Sequence, residues 1–237
     1  NEYGADAIRL YLLNSSLVRA DTLKFNKDGV RDVSKDIFLP WYNAYRFLIQ
    51  NIKRWELANQ KPFVFNEDII GKKQENILDN WIIASCQRLI QFFRKEMEAY
   101  RLDTVTPEMV RFLNQLTNWY VRLNRSRIKG ENGDKEWETS LNVLLNVILN
   151  VSILFSPFIP FITELMYQNI SKTIRDNSIY KEKSVHFLDI PLPNLELLDS
   201  GVEESVSIMQ SIVESGRLIR DKKKFPLKHP IMGVKVL

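Results

Sequence analysis

LNVLLNVILNVSILFSPFIPFITELM, residues 141–166, is the most apolar run in the chain, and how it is read decides the fold. A membrane-spanning helix needs about 20 predominantly apolar residues. Here Asn142, Asn146 and Asn150 recur at four-residue steps, Ser152 follows, and Pro157 and Pro160 interrupt the run. Polar residues at that spacing recur at helical steps along an otherwise apolar run. The stretch therefore reads as a helix over residues 135–154, broken by the prolines and resumed over 161–174. It would be buried at the centre of a bundle, with no membrane involved.

The segments on either side have the same helical period. Apolar residues predict a short helix over 4–15, irregular chain over 18–26, and a long helix over 28–59 with Pro40 as a kink or break. A loop over 60–71 carries Pro62, and a second long helix covers 74–101. Thr106-Pro107-Glu108 reads as a helix start, cap then proline, opening a third helix that runs to Lys129. Gly130-Glu131-Asn132-Gly133-Asp134 stops it. Beyond Pro191 and Pro193 a last helix covers 202–223, and residues 232–237 read as one strand cut from a larger unit. The expected fold class is all-α, a helix bundle with the start of a small α/β module at the C-terminus. The expected domains are a connector over 1–27, the bundle over 28–195, and a junction helix with a truncated strand over 196–237. A chain that opens on Asn1-Glu2-Tyr3 and closes on an apolar tail is expected to be a piece of something longer.

Composition agrees with a folded bundle. Of 237 residues, 45% are hydrophobic, enough for a core, and only 8 are glycine, which argues against a turn-rich β protein. The one cysteine, Cys86, lies among Ile82, Ile83 and Leu89 and reads as a core thiol in a reducing compartment. The two histidines, His186 and His229, are far apart, so no metal site is expected. No Gly-rich phosphate loop or nucleophile elbow occurs, and no catalytic residue is assigned.

Net charge is +4 and the isoelectric point about 9.0, so the distribution of charge carries more than its total. Arg111, Gln115, Asn118, Arg122, Arg125 and Lys129 follow one another at steps of three and four residues. On a regular helix, at about 100° per residue, they would stay within a band of about 80°. Arg127 lies close by, and Trp119 stands between the ridge and the apolar side. Guanidinium forks bind phosphates and stack on unpaired bases, so the ridge suits a polyanion such as RNA. It reads equally as a solvated face whose late cations favour the helix dipole. A second basic run, Arg217, Arg220, Lys222, Lys223, Lys224 and Lys228, is either another backbone contact surface or a helix C-terminus with favourable charges.

Several stretches share a resemblance. YGADAIRLYL (3–12) resembles the segment after the ATP-loop signature of class I aminoacyl-tRNA synthetases. FLPWYNAYRF (38–47) resembles the isoleucine branch of that family, and LTNWYVR (116–122) through Arg127 is similar to its anticodon-binding helix. SPFIPFITE (156–164) and SVHFL (184–188) continue the match in order. The resemblance spans nearly the whole chain. It implies a bundle that grips the anticodon stem and loop while a catalytic domain outside this chain charges the tRNA. In that reading Asn118, Trp119, Arg122, Arg125 and Arg127 contact RNA, with Trp119 either stacking on a base or sitting in the core. ATP and Mg would belong to the catalytic domain, and this chain would hold no cofactor and be non-catalytic alone. The implied partners are tRNA(Ile), the enzyme's own catalytic and C-terminal domains, and other synthetases in a complex, in the cytoplasm and with no membrane. Valine and leucine enzymes share the scaffold, and a protein-interaction bundle without RNA binding is the remaining alternative.

Overall fold

A computed structural model describes residues 2–233 and 235. The chain divides into two compact units, residues 1–198 and 199–237.

The first unit is built around α8, Asp134–Phe155, with every residue from Ser140 to Phe155 buried. Five helices cover it: α3 (Leu39–Asn59), α4 (Glu67–Ile70), α5 (Ile77–Glu98), α7 (Arg125–Ile128) and α9 (Pro160–Ile170). By length and composition α8 could cross a membrane, but 89% of its most apolar window lies inside the bundle. Its buried asparagines and serines are satisfied there, while the buried Trp137 Nε1 meets no described acceptor. Asn142 accepts from the Asn66 amide at 2.7 Å and donates to the Glu138 carbonyl at 2.9 Å. Asn150 donates to the Asn146 carbonyl at 2.9 Å, and the Ser152 hydroxyl donates to the Ile148 carbonyl at 2.8 Å. Each such bond removes a desolvation cost of about 1–3 kcal/mol. Cys86 is fully buried on α5, and desolvation pushes its thiol up to about 12.

Residues 2–27 fold with this unit. Helix α1, Ala5–Leu13, packs on α2 (Lys27–Val33), α6 (Leu102–Asn114) and α9. Asp6 caps α9 from a distance, accepting from the Ile162 amide at 2.8 Å, and a carboxylate at a helix N-terminus is favoured by the dipole. Arg9 donates to the carbonyls of Phe158 and Pro157, both at 2.9 Å, across the break between α8 and α9.

Two expectations about proline need correcting. Pro40 does not break its helix. A π-helical turn, Ser34–Phe38, directly precedes α3, and the wider turn makes room for a ring that would otherwise press on the carbonyl four residues back. Nor does Thr106-Pro107-Glu108 start a helix. Helix α6 begins at Leu102 and Pro107 lies inside it. The start is set instead by Glu96 at the end of α5. Its carboxylate accepts from Arg101 Nε at 2.7 Å, Arg101 Nη2 at 2.6 Å and Thr104 Oγ1 at 2.7 Å, and Tyr100 makes the corner with φ 56°.

The Arg101 guanidinium and then the Thr104 hydroxyl hold the Glu96 carboxyl at about 2, below its ordinary 4.5. A depressed carboxylate stabilises the fold above the unfolded value, and that contribution fades as pH falls through the folded one. Glu96→Gln should therefore melt below the parent at neutral pH, with the gap narrowing below about pH 5 and largely gone by about pH 2. Melting curves of both proteins over that range check it. A gap that does not change with pH would mean the carboxylate charge plays no part.

The second unit is α10, Ser200–Lys222, with a return segment. The Asp199 carboxylate caps α10 by accepting from the Val202 amide at 3.1 Å. Lys224 turns the chain at φ 52°. An apolar hollow of about 790 Å³ opens between the last turns of α10 and the return, lined by Ile212, Ile219, Phe225, Leu227 and Ile231. The expected strand over 232–237 is not formed at the described residues Met232, Gly233 and Lys235, and its other positions lie outside the described residues.

Candidate nucleic-acid interface

The expected ridge is not one regular helix. Helix α6 ends at Asn114, a π-helical stretch runs Gln115–Val121, and after a break at Asn124 the short α7 resumes at Arg125–Ile128. A π turn holds more residues than an α turn, so the even spacing no longer lines the six positions up.

The residues accordingly separate. Arg111 is exposed but paired with Glu108 at 2.6 Å. Gln115 is half-buried, and Asn118 is exposed with its amide donating to Asn114 Oδ1 at 2.9 Å. Lys129 is half-buried, 3.8 Å from Glu131. Trp119 is 8% exposed and so belongs to the core, where it cannot serve as an open stacking platform. Arg122 and Arg125 are exposed and in no ion pair with a described acid. The Arg125 guanidinium lies 5.7 Å from the centre of the Phe47 ring on α3.

Arg127 corrects the ridge most sharply. It was placed with the outward cations, yet it is 7% exposed and tied down on all sides. Its Nη1 and Nη2 donate to fully buried Asp79 of α5 at 3.0 and 2.8 Å. Nη1 also reaches Asn124 Oδ1 at 2.6 Å, and Nε reaches Glu136 Oε2 at 2.6 Å. The Tyr120 hydroxyl completes the cluster, donating to Asp79 at 2.7 Å. Burial by itself would lower the Arg127 pKa, but the bonds and charge of Asp79, then those of Glu136, override it and raise it. Burial first, then the Asp79 charge, raises the Tyr120 hydroxyl well above its ordinary value. The cluster thus keeps a full ion pair below the surface. It also fixes the break at Asn124, whose amide donates to the Tyr120 carbonyl at 3.0 Å.

One surface cation escaped the sequence reading. Arg54 on α3 is exposed, in no ion pair with a described acid, and 5.9 Å from the centre of the Trp137 ring at the start of α8. It lies seven residues beyond Phe47, so both project from one stripe of α3. Because Arg125 sits on Phe47 and Arg54 on Trp137, Arg54 and Arg125 share a seam beside α3, and Arg122 is exposed three residues before Arg125.

The second basic run splits as well. Arg220 is not free for phosphate: its Nη1 donates to the carbonyls of Pro226 and His229 at 3.1 and 3.0 Å, and it packs 5.4 Å from the Phe225 ring. Arg217, Lys222, Lys223, Lys224 and Lys228 are exposed. Among the described residues no group of three or more His, Cys, Asp or Glu is arranged to hold a metal.

The first unit is thus an all-helical bundle that presents exposed guanidinium groups. Residues 79–236 match the family described as the anticodon-binding domain of tRNA ligase, and the chain belongs to that family. Its relatives narrow the class. The chain is 55% identical over 239 residues to isoleucine–tRNA ligase of Tetrahymena thermophila, covering 100% of this chain and 22% of that protein. It is 48% identical over 240 residues to the cytoplasmic isoleucine–tRNA ligase of Mus musculus, covering 100% and 19%. The isoleucine–tRNA ligase of Bdellovibrio bacteriovorus is 37% identical over 237 residues, at 100% and 21%. The chain thus spans about a fifth of the length of the curated relatives it matches. Among solved structures, the LeuRS–tRNA–LeuAMS ternary complex from Agrobacterium radiobacter shares the fold, with TM-score 0.54 and 19% identity over 84% of this chain and 20% of that one.

Proposed function

We propose that this chain grips the anticodon stem and loop of tRNA(Ile) for an isoleucine–tRNA ligase, working in the cytoplasm beside catalytic and C-terminal domains of the same protein and within reach of other synthetases. The observation that carries the proposal is the set of exposed guanidinium groups of Arg54, Arg122 and Arg125, in no ion pair with a described acid, on a domain of the anticodon-binding family. Guanidinium groups without a carboxylate partner need not break an ion pair before meeting a phosphate, so their attraction is available to RNA. The contribution to catalysis is positional: holding the tRNA body turns the meeting of its acceptor end with activated amino acid into an intramolecular step. ATP and Mg would be bound by the catalytic domain, and the chain by itself would carry out no aminoacylation.

Titrating the chain with tRNA at increasing salt tests the reading. Affinity should fall steeply, with a log–log slope of about −0.7 to −0.9 for each phosphate neutralised. Replacing Arg122 and Arg125 with alanine should flatten that slope by about 1.5 and leave melting unchanged. No binding at low salt, or binding indifferent to salt, would refute it.

A further inference from the structure

The second unit holds a surface of a different kind. The hollow of about 790 Å³ between the last turns of α10 and the return segment has an aliphatic floor that lies open: Ile219 is 60% exposed, Leu227 67% and Ile231 47%. Its rim is basic. Lys223 lines the edge and is exposed, and between residues 217 and 228 six lysines and arginines stand against one acid, Asp221. The hollow is also braced from within. Arg220 Nη1 donates to the Pro226 and His229 carbonyls at 3.1 and 3.0 Å, tying the return segment to α10. Among the described lining residues Phe225 alone is aromatic, and its ring is flanked by the Arg220 guanidinium at 5.4 Å and the His229 ring at 5.5 Å.

We infer that this hollow is a docking groove for an acidic amphipathic helix of a partner protein. Phosphates would draw on the rim and leave the floor wet, and bases seek flat faces to stack on, which an aliphatic floor lacks. A helix with one apolar stripe and acidic flanks uses both parts: its apolar side chains cover the floor while its carboxylates meet the rim. Ile212 and Ile219 are seven residues apart on α10, so the floor runs about 10 Å, the reach of two helical turns of a partner. Docking there asks nothing of Arg54, Arg122 and Arg125, which belong to the first unit.

The test titrates the whole chain with a labelled helical peptide of glutamate and alanine carrying leucines at i, i+4 and i+7, and with the same peptide bearing lysine for glutamate, read by fluorescence anisotropy. The acidic peptide should bind at least about tenfold more tightly than the basic one. Leu227→Gln and Lys223→Glu should each weaken it about tenfold, and Leu227→Gln should leave melting and tRNA affinity at the parent values. No binding of the acidic peptide, or equal binding of the two, would overturn the inference. A Leu227→Gln loss that extends to tRNA would give the hollow to RNA. A dimeric parent that Leu227→Gln makes monomeric in sedimentation would give it to a second copy, and loss of peptide binding in a protein that also carries the C-terminal domain would give it to that domain. Each of these three results would overturn the inference as well.

Discussion

Replacing Asp79 with alanine is expected to destabilise the bundle by about 3–5 kcal/mol, because the change leaves a buried guanidinium without its partner. Asp79 is fully buried and accepts three hydrogen bonds, two from Arg127 and one from the Tyr120 hydroxyl. After truncation Arg127 keeps only Asn124 and the partly exposed Glu136, and Tyr120 loses the acceptor of a buried hydroxyl. Removing both charges at once should be milder than the single losses added together. In an Asp79→Leu, Arg127→Met double variant nothing charged is stranded, and the coupling between the two positions should be large and favourable. Urea unfolding of the single and double variants measures it. An Asp79→Ala loss below about 1 kcal/mol would show that Glu136 alone compensates Arg127. The consequence reaches the surface, since α7 is fastened through Arg127 and carries Arg125.

That cluster also marks where sequence reading stopped. The core helix was legible to within a residue: 135–154 was expected and Asp134–Phe155 is found, because the amides at 142, 146 and 150 announce a helical period directly. Helix α10 was equally open, from its apolar spacing and charged end. The family resemblance, carried by ordered motifs, was borne out by the match over residues 79–236. The ridge was misjudged because its band was calculated at a constant twist. The π-helical stretch at Gln115–Val121 faces α3, a setting no local pattern encodes. Arg127 could have been suspected, as it lies about 200° from Arg125 on any helix, so an outward Arg125 turns it inward. The complementary sign was Asp79, a carboxylate amid Ile77, Leu78, Trp81 and Ile82, but its partner is 48 residues away. Arg54 was invisible for a related reason. Only the packing of α3 against the start of α8 places it on Trp137.

Gly130→Ala should be the second costly change, at about 2–5 kcal/mol, from two sources that can be separated. The residue has φ +81°, where a side chain costs about 1–2 kcal/mol. A Cβ there would also stand 2.5 Å from Cδ2 and Cε3 of Trp137, far inside contact, and relieving that overlap in a packed site costs about 1–3 kcal/mol. Trp137 is 6% exposed, so its ring has little room to retreat. In a Trp137→Leu background the overlap disappears while the backbone conformation stays, so the added cost of alanine should fall to about 1–2 kcal/mol. Thermal unfolding of the four proteins completes the cycle, and an alanine cost that ignores the background would leave backbone strain as its sole origin. Trp137 is also the ring beneath Arg54, so a displaced indole should carry that guanidinium with it. Gly130→Ala protein that is still folded should then bind tRNA more weakly than the parent, as titration at fixed salt would read. The loop at Gly130 is thus one determinant of both stability and the shape of the seam, because glycine alone lets the backbone pass so close to the ring on which Arg54 lies.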